Sequence, residues 1–294
     1  MPAVTQNPSP LPQMVTRFAP SPTGYLHLGH AYAALIAQAR ARAAGGRFLL
    51  RIENIDATRA RPEYEAAIVE DMRWLGLDWD GPVRRQQDHL ADYAQLLDDL
   101  RGRDLLYPCF CTRADIAREV AASGQAPHGK DRPGYPGTCA TLPPRIAAAR
   151  IEAGQAHCWR LRTARAAASV GPLDYEEEGQ GRIACDPCVH GDVVLARKDC
   201  PGSYHLCVCH DDALQGVTLV TRGEELRPAT DIHRLIQILM GWPQPAYAHH
   251  RLLTDSRGAK LSKRDGAPSL KTLREAGMTP AEAFRQAGID LAQI

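Results

Sequence analysis

The chain has 294 residues, 44% of them apolar, and a formal net charge of +1 at neutral pH. This is enough apolar material for one large domain, or one domain carrying an insertion, and too little net charge to mark the whole surface as a nucleic-acid binder. No window approaches the roughly 18 consecutive apolar residues of a membrane span. The N-terminus also lacks the basic segment and apolar block of a signal peptide, so a cytoplasmic protein without membrane contact is expected.

Residues 1–14 are rich in Pro, Gln and Ser and are expected to be disordered. Val15 to Phe18 is short and β-prone, and Pro20, Pro22 and Gly24 follow, which predicts a strand emptying into an irregular turn. A helix comes next, with Leu28, Tyr32, Leu35, Ile36 and Ala39 on its apolar face and Gly45-Gly46 at its end. Arg47 to Ile52 reads as a second strand, delivering Glu53 to the same rim as the first turn. Helices follow from Pro62 and from an Asp88 cap, the latter with Tyr93, Leu96, Leu97 and Leu100 in register. This order predicts a parallel sheet wound with helices, its first half spanning 15–104. The texture changes near Leu105, and 105–190 reads as an insertion. Strands are expected again at 192–196, 204–210 and 217–221, then a helix over 229–240 and a strand over 246–252. This second half spans 191–252, and 253–294 holds a polar loop and short helices.

Three constellations suggest chemistry. His27 and His30 flank Gly29 at the mouth of a helix that follows a strand and a Pro/Gly turn, a usual anion site on an open α/β sheet. The imidazoles can donate to phosphate oxygens, and the glycine lets a flat base approach the backbone. Far along the chain, Lys260 and Lys263 lie three apart around Ser262 in a Gly-flanked loop, although only five of the 35 basic residues are lysines. Two ammonium groups so spaced can close on a triphosphate and stabilise charge on departing pyrophosphate. Third, Cys109, Cys111 and Cys139 lie within 31 residues of one another and suit a tetrahedral zinc site. Tyr135, His128, Cys185 and Cys188 are all candidates for the fourth ligand. Cys158, Cys200, Cys207 and Cys209 are expected to be buried free thiols.

Together, the two phosphate-binding signatures resemble those of the class I aminoacyl-tRNA synthetases, called HIGH and KMSKS. Arg17 to His30, Leu50 to Glu53 and Thr221 to Glu224 are similar to the glutamyl branch. The resemblance implies a Rossmann-type fold interrupted by a zinc-bearing insertion. It also implies that ATP, with Mg2+, is bound by His27, Gly29, His30, Lys260, Ser262 and Lys263, with His27, His30, Lys260 and Lys263 acting in catalysis. L-Glutamate would be held by Arg17, Ala19, Ser21, Glu53, Tyr204 and Arg222. Chemically, the two guanidiniums suit its carboxylates and Glu53 suits its ammonium. The same resemblance selects Tyr135 as the fourth zinc ligand. One departure is Val208, where full-length glutamyl enzymes have an asparagine four residues after the tyrosine.

Only 31 residues follow Lys263, so no anticodon-binding module is expected. A catalytic body of this shape resembles the glutamyl-Q tRNA(Asp) synthetase family. The resemblance implies transfer of glutamate to queuosine in the anticodon loop of tRNA(Asp) by a monomeric enzyme. The alternatives are a shortened glutamyl-tRNA synthetase charging a tRNA 3′ end, another nucleotidyltransferase with the same first signature, and a non-catalytic RNA-binding paralogue.

Overall fold

The computed structural model describes residues 13–122, 135–253, 268–286, 288 and 289. Strand β1 (Val15–Phe18) pairs in parallel with β2 (Arg47–Ile52), and β2 with the two-residue β3 (Arg84–Arg85). Helix α1 (Leu28–Ala43) makes the first crossover, α2 (Pro62–Trp74) the second. A second sheet has the order β7-β6-β10-β9, with β6 (Leu173–Glu177), β7 (Gly181–Cys185), β9 (Leu219–Gly223) and β10 (Ala246–His250). β9, β10 and β6 are parallel; β7 closes an antiparallel hairpin on β6. The two sheets abut along β1 and β9: Thr218 N–H donates to Val15 O at 3.0 Å, and the Arg17 guanidinium to Thr221 O at 3.2 Å. The C-terminal ends of β1, β2, β9 and β10 therefore share one rim. The expected Rossmann-type parallel sheet is present.

The apolar face of α1 differs from expectation. Leu28, Ala31, Ala34, Ala37 and Ala41 are buried, whereas Tyr32, Leu35, Ile36 and Ala39 are only half-buried. Small side chains let this helix lie close to the sheet, and Thr16 Oγ1 donates to Ala37 O at 2.6 Å across the gap. After a short 3-10 turn over Gln86–His89, α3 (Leu90–Gly102) starts just beyond the expected Asp88 cap.

A third, antiparallel sheet is formed by β4 (Leu106–Cys109), β5 (Cys158–Leu161) and β8 (Val194–Ala196). Helices α4 (Arg113–Ala122), α5 (Pro144–Glu152) and α6 (Thr163–Val170) connect its neighbourhood. Strand pairing thus crosses the expected limit at 190: β8 joins β5, while the β6–β7 hairpin joins β9 and β10.

The stretch expected as a strand over 204–210 is helix α7 (Tyr204–Leu214). Its alternation of apolar residues suits a pleat locally, but tertiary burial overrides that preference. Leu206, Cys207, Val208 and Cys209 are buried in succession, and the next turn buries Asp211 and Asp212 against arginines. Such all-round burial marks a helix sandwiched within the core. Helix α8 (Ala229–Leu239) packs beside it, and α9 (Leu270–Glu275) and α10 (Pro280–Gln286) complete the described chain. No helix among the described residues is long and apolar enough to cross a membrane.

Candidate active site

Two tiers of side chains line the shared rim, and a third lies away from it. The first is the helix mouth. His27 is the N-cap of α1, its Nδ1 accepting from Gly29 N–H at 3.1 Å, while His30 Nδ1 accepts from His27 N–H at 3.1 Å. Both contacts require an unprotonated Nδ1, so each neutral ring carries its hydrogen on Nε2. The rings pack 3.8 Å apart between centroids. A Cβ on Gly29 would lie 3.0 Å from His27 Cε1, so glycine allows the two rings to fold over the helix start.

Lys260, Ser262 and Lys263 lie outside the described residues. The chain on either side of them is anchored at this mouth. Leu253 joins the core that holds Leu26 and Leu28, Leu270 N–H donates to Leu26 O at 2.8 Å, and Ser269 bridges to His27.

The second tier is charged. Arg17, on β1, donates from Nε to Asp212 Oδ1 at 2.9 Å. Arg51, fully buried on β2, donates to the same oxygen at 2.8 Å and to Glu53 Oε1 at 3.2 Å. Glu53 is tied to the first turn by its N–H, which donates to Pro20 O at 3.0 Å. Burial raises the Glu53 carboxyl above its ordinary range although Arg51 and Arg17 oppose it. An incoming ammonium would restore the charged form. Tyr204 opens α7, and its hydroxyl stands 3.5 Å from Arg222 Nη1. Burial raises its phenol, with Glu53 acting in the same direction and Arg222 and Arg17 opposing. Ala19 is half-buried and Ser21 exposed on the turn above them, and Val208 is buried one turn along from Tyr204.

Several residues of this tier escaped the sequence: Arg51, Asp211, Asp212, His233, His249 and Glu177. Asp211 accepts from Arg84 Nε at 2.8 Å, Gln86 at 2.9 Å and the Tyr93 hydroxyl. The available signal was two adjacent carboxylates ending an apolar stretch, which only a helical reading would have turned inward.

The third tier lies apart, at the end of β4. The thiols of Cys109, Cys111 and Cys139 lie within 4.8 Å of one another, with 3.5 Å between Cys111 and Cys139. The Tyr135 oxygen is 3.4 Å from Cys109 Sγ and 3.9 Å from Cys111 Sγ, and it accepts from Cys139 N–H at 2.8 Å. Tetrahedral zinc with Zn–S near 2.3 Å requires sulfurs about 3.8 Å apart, so this donor set fits. Cys158 faces Cys109 across the strand pair. Its thiol, with Tyr135 and Arg160, draws the Cys109 thiol down to about 4 against the effect of burial, favouring the thiolate a metal needs. Of the other candidate fourth ligands, His128 lies outside the described residues. Cys158, Cys200, Cys207 and Cys209 are buried free thiols, as expected.

The family model for class I tRNA synthetases (E and Q), catalytic domain, matches residues 13–289. The glutamyl-Q tRNA(Asp) synthetase of Rhodobacter capsulatus is 48% identical over 287 residues, covering 94% of this chain and 100% of that protein. The chain belongs to the glutamyl-Q tRNA(Asp) synthetase family. It is a ligase of the class I synthetase type, a class that uses ATP with Mg2+. A relative of the same name from Symbiobacterium thermophilum is 41% identical over 90% of this chain and 82% of its own length. The glutamate–tRNA ligase of Aquifex aeolicus is 38% identical over 92% of this chain, which spans 55% of that protein. Among solved structures, a glutamate tRNA ligase from Elizabethkingia meningosepticum in complex with its amino acid matches with a TM-score of 0.73 at 30% identity. It covers 86% of this synthetase and 52% of the ligase.

Proposed function

We propose that this synthetase activates L-glutamate with ATP in the absence of tRNA and transfers it to queuosine at the wobble position of tRNA(Asp). The observation that carries the glutamate reading is the rim itself. It holds Arg17 and Arg222 as carboxylate partners, Glu53 as an ammonium partner and Tyr204 beside them. The substrate carboxylate attacks the α-phosphate of ATP in line, forming glutamyl-adenylate and releasing pyrophosphate. His27 and His30 bind the nucleotide at the mouth of α1. Lys260 and Lys263 offset the charge that builds on the leaving group, where stabilisation counts most, and Ser262 is assigned to ATP with them. Mg2+ accompanies ATP and lowers the charge of its phosphates.

Support for tRNA-independent activation is that every residue assigned to ATP or glutamate belongs to the catalytic body. The acceptor is supported by the relatives' names: those called glutamyl-Q tRNA(Asp) synthetase reach 48% identity, against 38% for the Aquifex aeolicus ligase. Cys109, Cys111, Cys139 and Tyr135 would hold zinc in a structural role, stiffening the β4–β5 region.

The test is transfer of labelled glutamate to tRNA(Asp) with and without queuosine, before and after periodate oxidation of its cis-diols. Labelling should require the modification and be lost after oxidation, and binding should weaken with salt as phosphate contacts are screened. Equal labelling of unmodified tRNA(Asp), or labelling of tRNA(Glu) at its 3′ end, would overturn the queuosine assignment in favour of a shortened glutamyl-tRNA synthetase. Absence of glutamate-dependent ATP–pyrophosphate exchange would leave a non-catalytic RNA binder.

A further inference from the structure

Arg222 is 6% exposed, yet among the described residues it has no carboxylate within ion-pair distance. Its hydrogen-bond partners are all uncharged. Nε donates to His249 Nε2 at 3.1 Å, Nη1 to His233 Nδ1 at 3.0 Å, and Nη2 to Thr230 Oγ1 at 2.7 Å. Arg17 and Arg51, by contrast, both lie on Asp212. A buried cation gripped only by neutral acceptors retains a strong demand for an anion. Counting the 3.5 Å contact of Nη1 with the neutral Tyr204 hydroxyl, four of its five N–H groups have partners, which fixes the plane of the fork and leaves a hydrogen on Nη2 for a ligand.

The two imidazoles are themselves braced. Because His249 accepts at Nε2, its hydrogen sits on Nδ1, which lies 2.7 Å from Glu177 Oε2. Glu177 is compensated by Arg227 at 3.2 Å, so its charge is already met one layer back from Arg222. On the other side His233 accepts at Nδ1 and carries hydrogen on Nε2, 3.2 Å from His205 Nδ1. The chain Glu177–His249–Arg222–His233–His205 thus has one consistent set of donors and acceptors.

We propose that His233 and His249 are positioning residues which orient Arg222 and leave its charge unneutralised, so that the site selects a carboxylate over a carboxamide. This inference rests on the assignment of Arg222 to the glutamate site. Burial, and then Arg222 itself, pushes His233 well below its ordinary range, and burial pushes His205 down to about 4. Burial also lowers His249 although Glu177 opposes it. All three therefore remain neutral at working pH.

The experiment compares His233→Gln with His233→Glu, two side chains of nearly equal shape that differ in charge. Glutamate- and glutamine-dependent ATP–pyrophosphate exchange is measured for each. The glutamine variant keeps an uncharged acceptor and should hold its glutamate KM within about three-fold of wild type. The glutamate variant neutralises Arg222 and should raise that KM about ten-fold or more, leave the ATP KM unchanged, and reduce the preference for glutamate over glutamine by a similar factor. Equal behaviour of the two variants would overturn the inference. Imidazole ¹⁵N spectra of the wild-type protein give a readout independent of any variant. At neutral pH they should show His233 with hydrogen on Nε2 and His249 with hydrogen on Nδ1; a cationic ring at either position would equally overturn it. Wild-type protein with no glutamate-dependent exchange would instead remove the proposed function, a different failure from normal wild-type exchange with indistinguishable variants.

Discussion

Arg17 and Asp212 meet at 2.9 Å, Nε to Oδ1, with both side chains almost sealed from solvent. The same oxygen takes Arg51 at 2.8 Å, and Arg51 in turn holds Glu53. One carboxylate on α7 thereby arranges both the guanidinium assigned to glutamate and, through Arg51, the residue assigned to the ammonium. Asp212→Ala leaves two buried guanidiniums short of a partner and should cost about 3–5 kcal/mol, read as a lower urea midpoint at unchanged slope. Burial alone would raise the Asp212 carboxyl, but Arg17 and Arg51 hold it below the usual carboxylate range. Its stabilisation is then fully present above the unfolded value, near 3.9, and is lost as pH falls through the folded one. The stability gap between wild type and Asp212→Asn should therefore be widest at neutral pH and shrink below about pH 4. A gap independent of pH would contradict the ion-pair assignment.

Asp71 on α2 gives the opposite sign. It is buried, neither of its oxygens has a hydrogen-bond partner among the described residues, and Arg274 Nη2 is 3.4 Å away. Burial pushes its carboxyl up to about 6, more than Arg274 can offset. The folded state binds this proton more tightly than the unfolded chain, so stability declines as pH rises from about 4 to about 6. Asp71→Asn should remove that decline and be the more stable protein at pH 7, on the order of 1 kcal/mol. Chemical denaturation at pH 4 and pH 7 measures both arms.

What was legible in the sequence follows a physical division. Arg17, Glu53 and Arg222 could be placed because each sits at or beside the C-terminal end of a β-rich run, and a parallel sheet sends those ends to one rim. The helix containing Tyr204 was misread because local alternation in Tyr-His-Leu-Cys-Val-Cys-His mimics a strand. Its burial on all sides is a tertiary fact that no local period reports. The brace around Arg222 was hidden for the same reason: His233, His249 and Glu177 come from three separate elements, and only the fold brings them together. The alanine stripe of α1 was passed over because larger apolar residues on the adjacent face looked like the core.

Zinc is expected at about one ion per chain in protein purified without chelator, measured by elemental analysis. Removing it should increase hydrogen exchange at β4 and β5 more than in the parallel sheet, because a structural site contributes folding energy where it is bound. Tyr135→Phe should keep the three thiols but lose the phenol oxygen that lies within 4 Å of two of them. Zinc should then pass to a competing chelator more readily, by about ten-fold or more. Zinc-free protein would end the metal assignment, and unchanged retention in Tyr135→Phe would move the fourth ligand elsewhere.

Gly29→Ala separates stability from activity. Residue 29 lies in the first turn of α1, where alanine is a better helix former than glycine by up to about 1 kcal/mol. The new Cβ, however, would sit 3.0 Å from His27 Cε1 and 3.1 Å from Nδ1, closer than a carbon comfortably approaches a ring. The helix start is fixed by hydrogen bonds, so the ring is the part that yields. Turning it aside loosens the His27 cap on Gly29 N–H and the packing on His30 that aim both imidazoles across the helix mouth. Thermal stability should therefore stay within about 1 kcal/mol of wild type, while glutamate-dependent ATP–pyrophosphate exchange slows by about ten-fold or more, the scale on which a displaced phosphate-binding donor is felt. A variant that exchanges pyrophosphate at the wild-type rate would show that the orientation of His27 is not needed for adenylate formation.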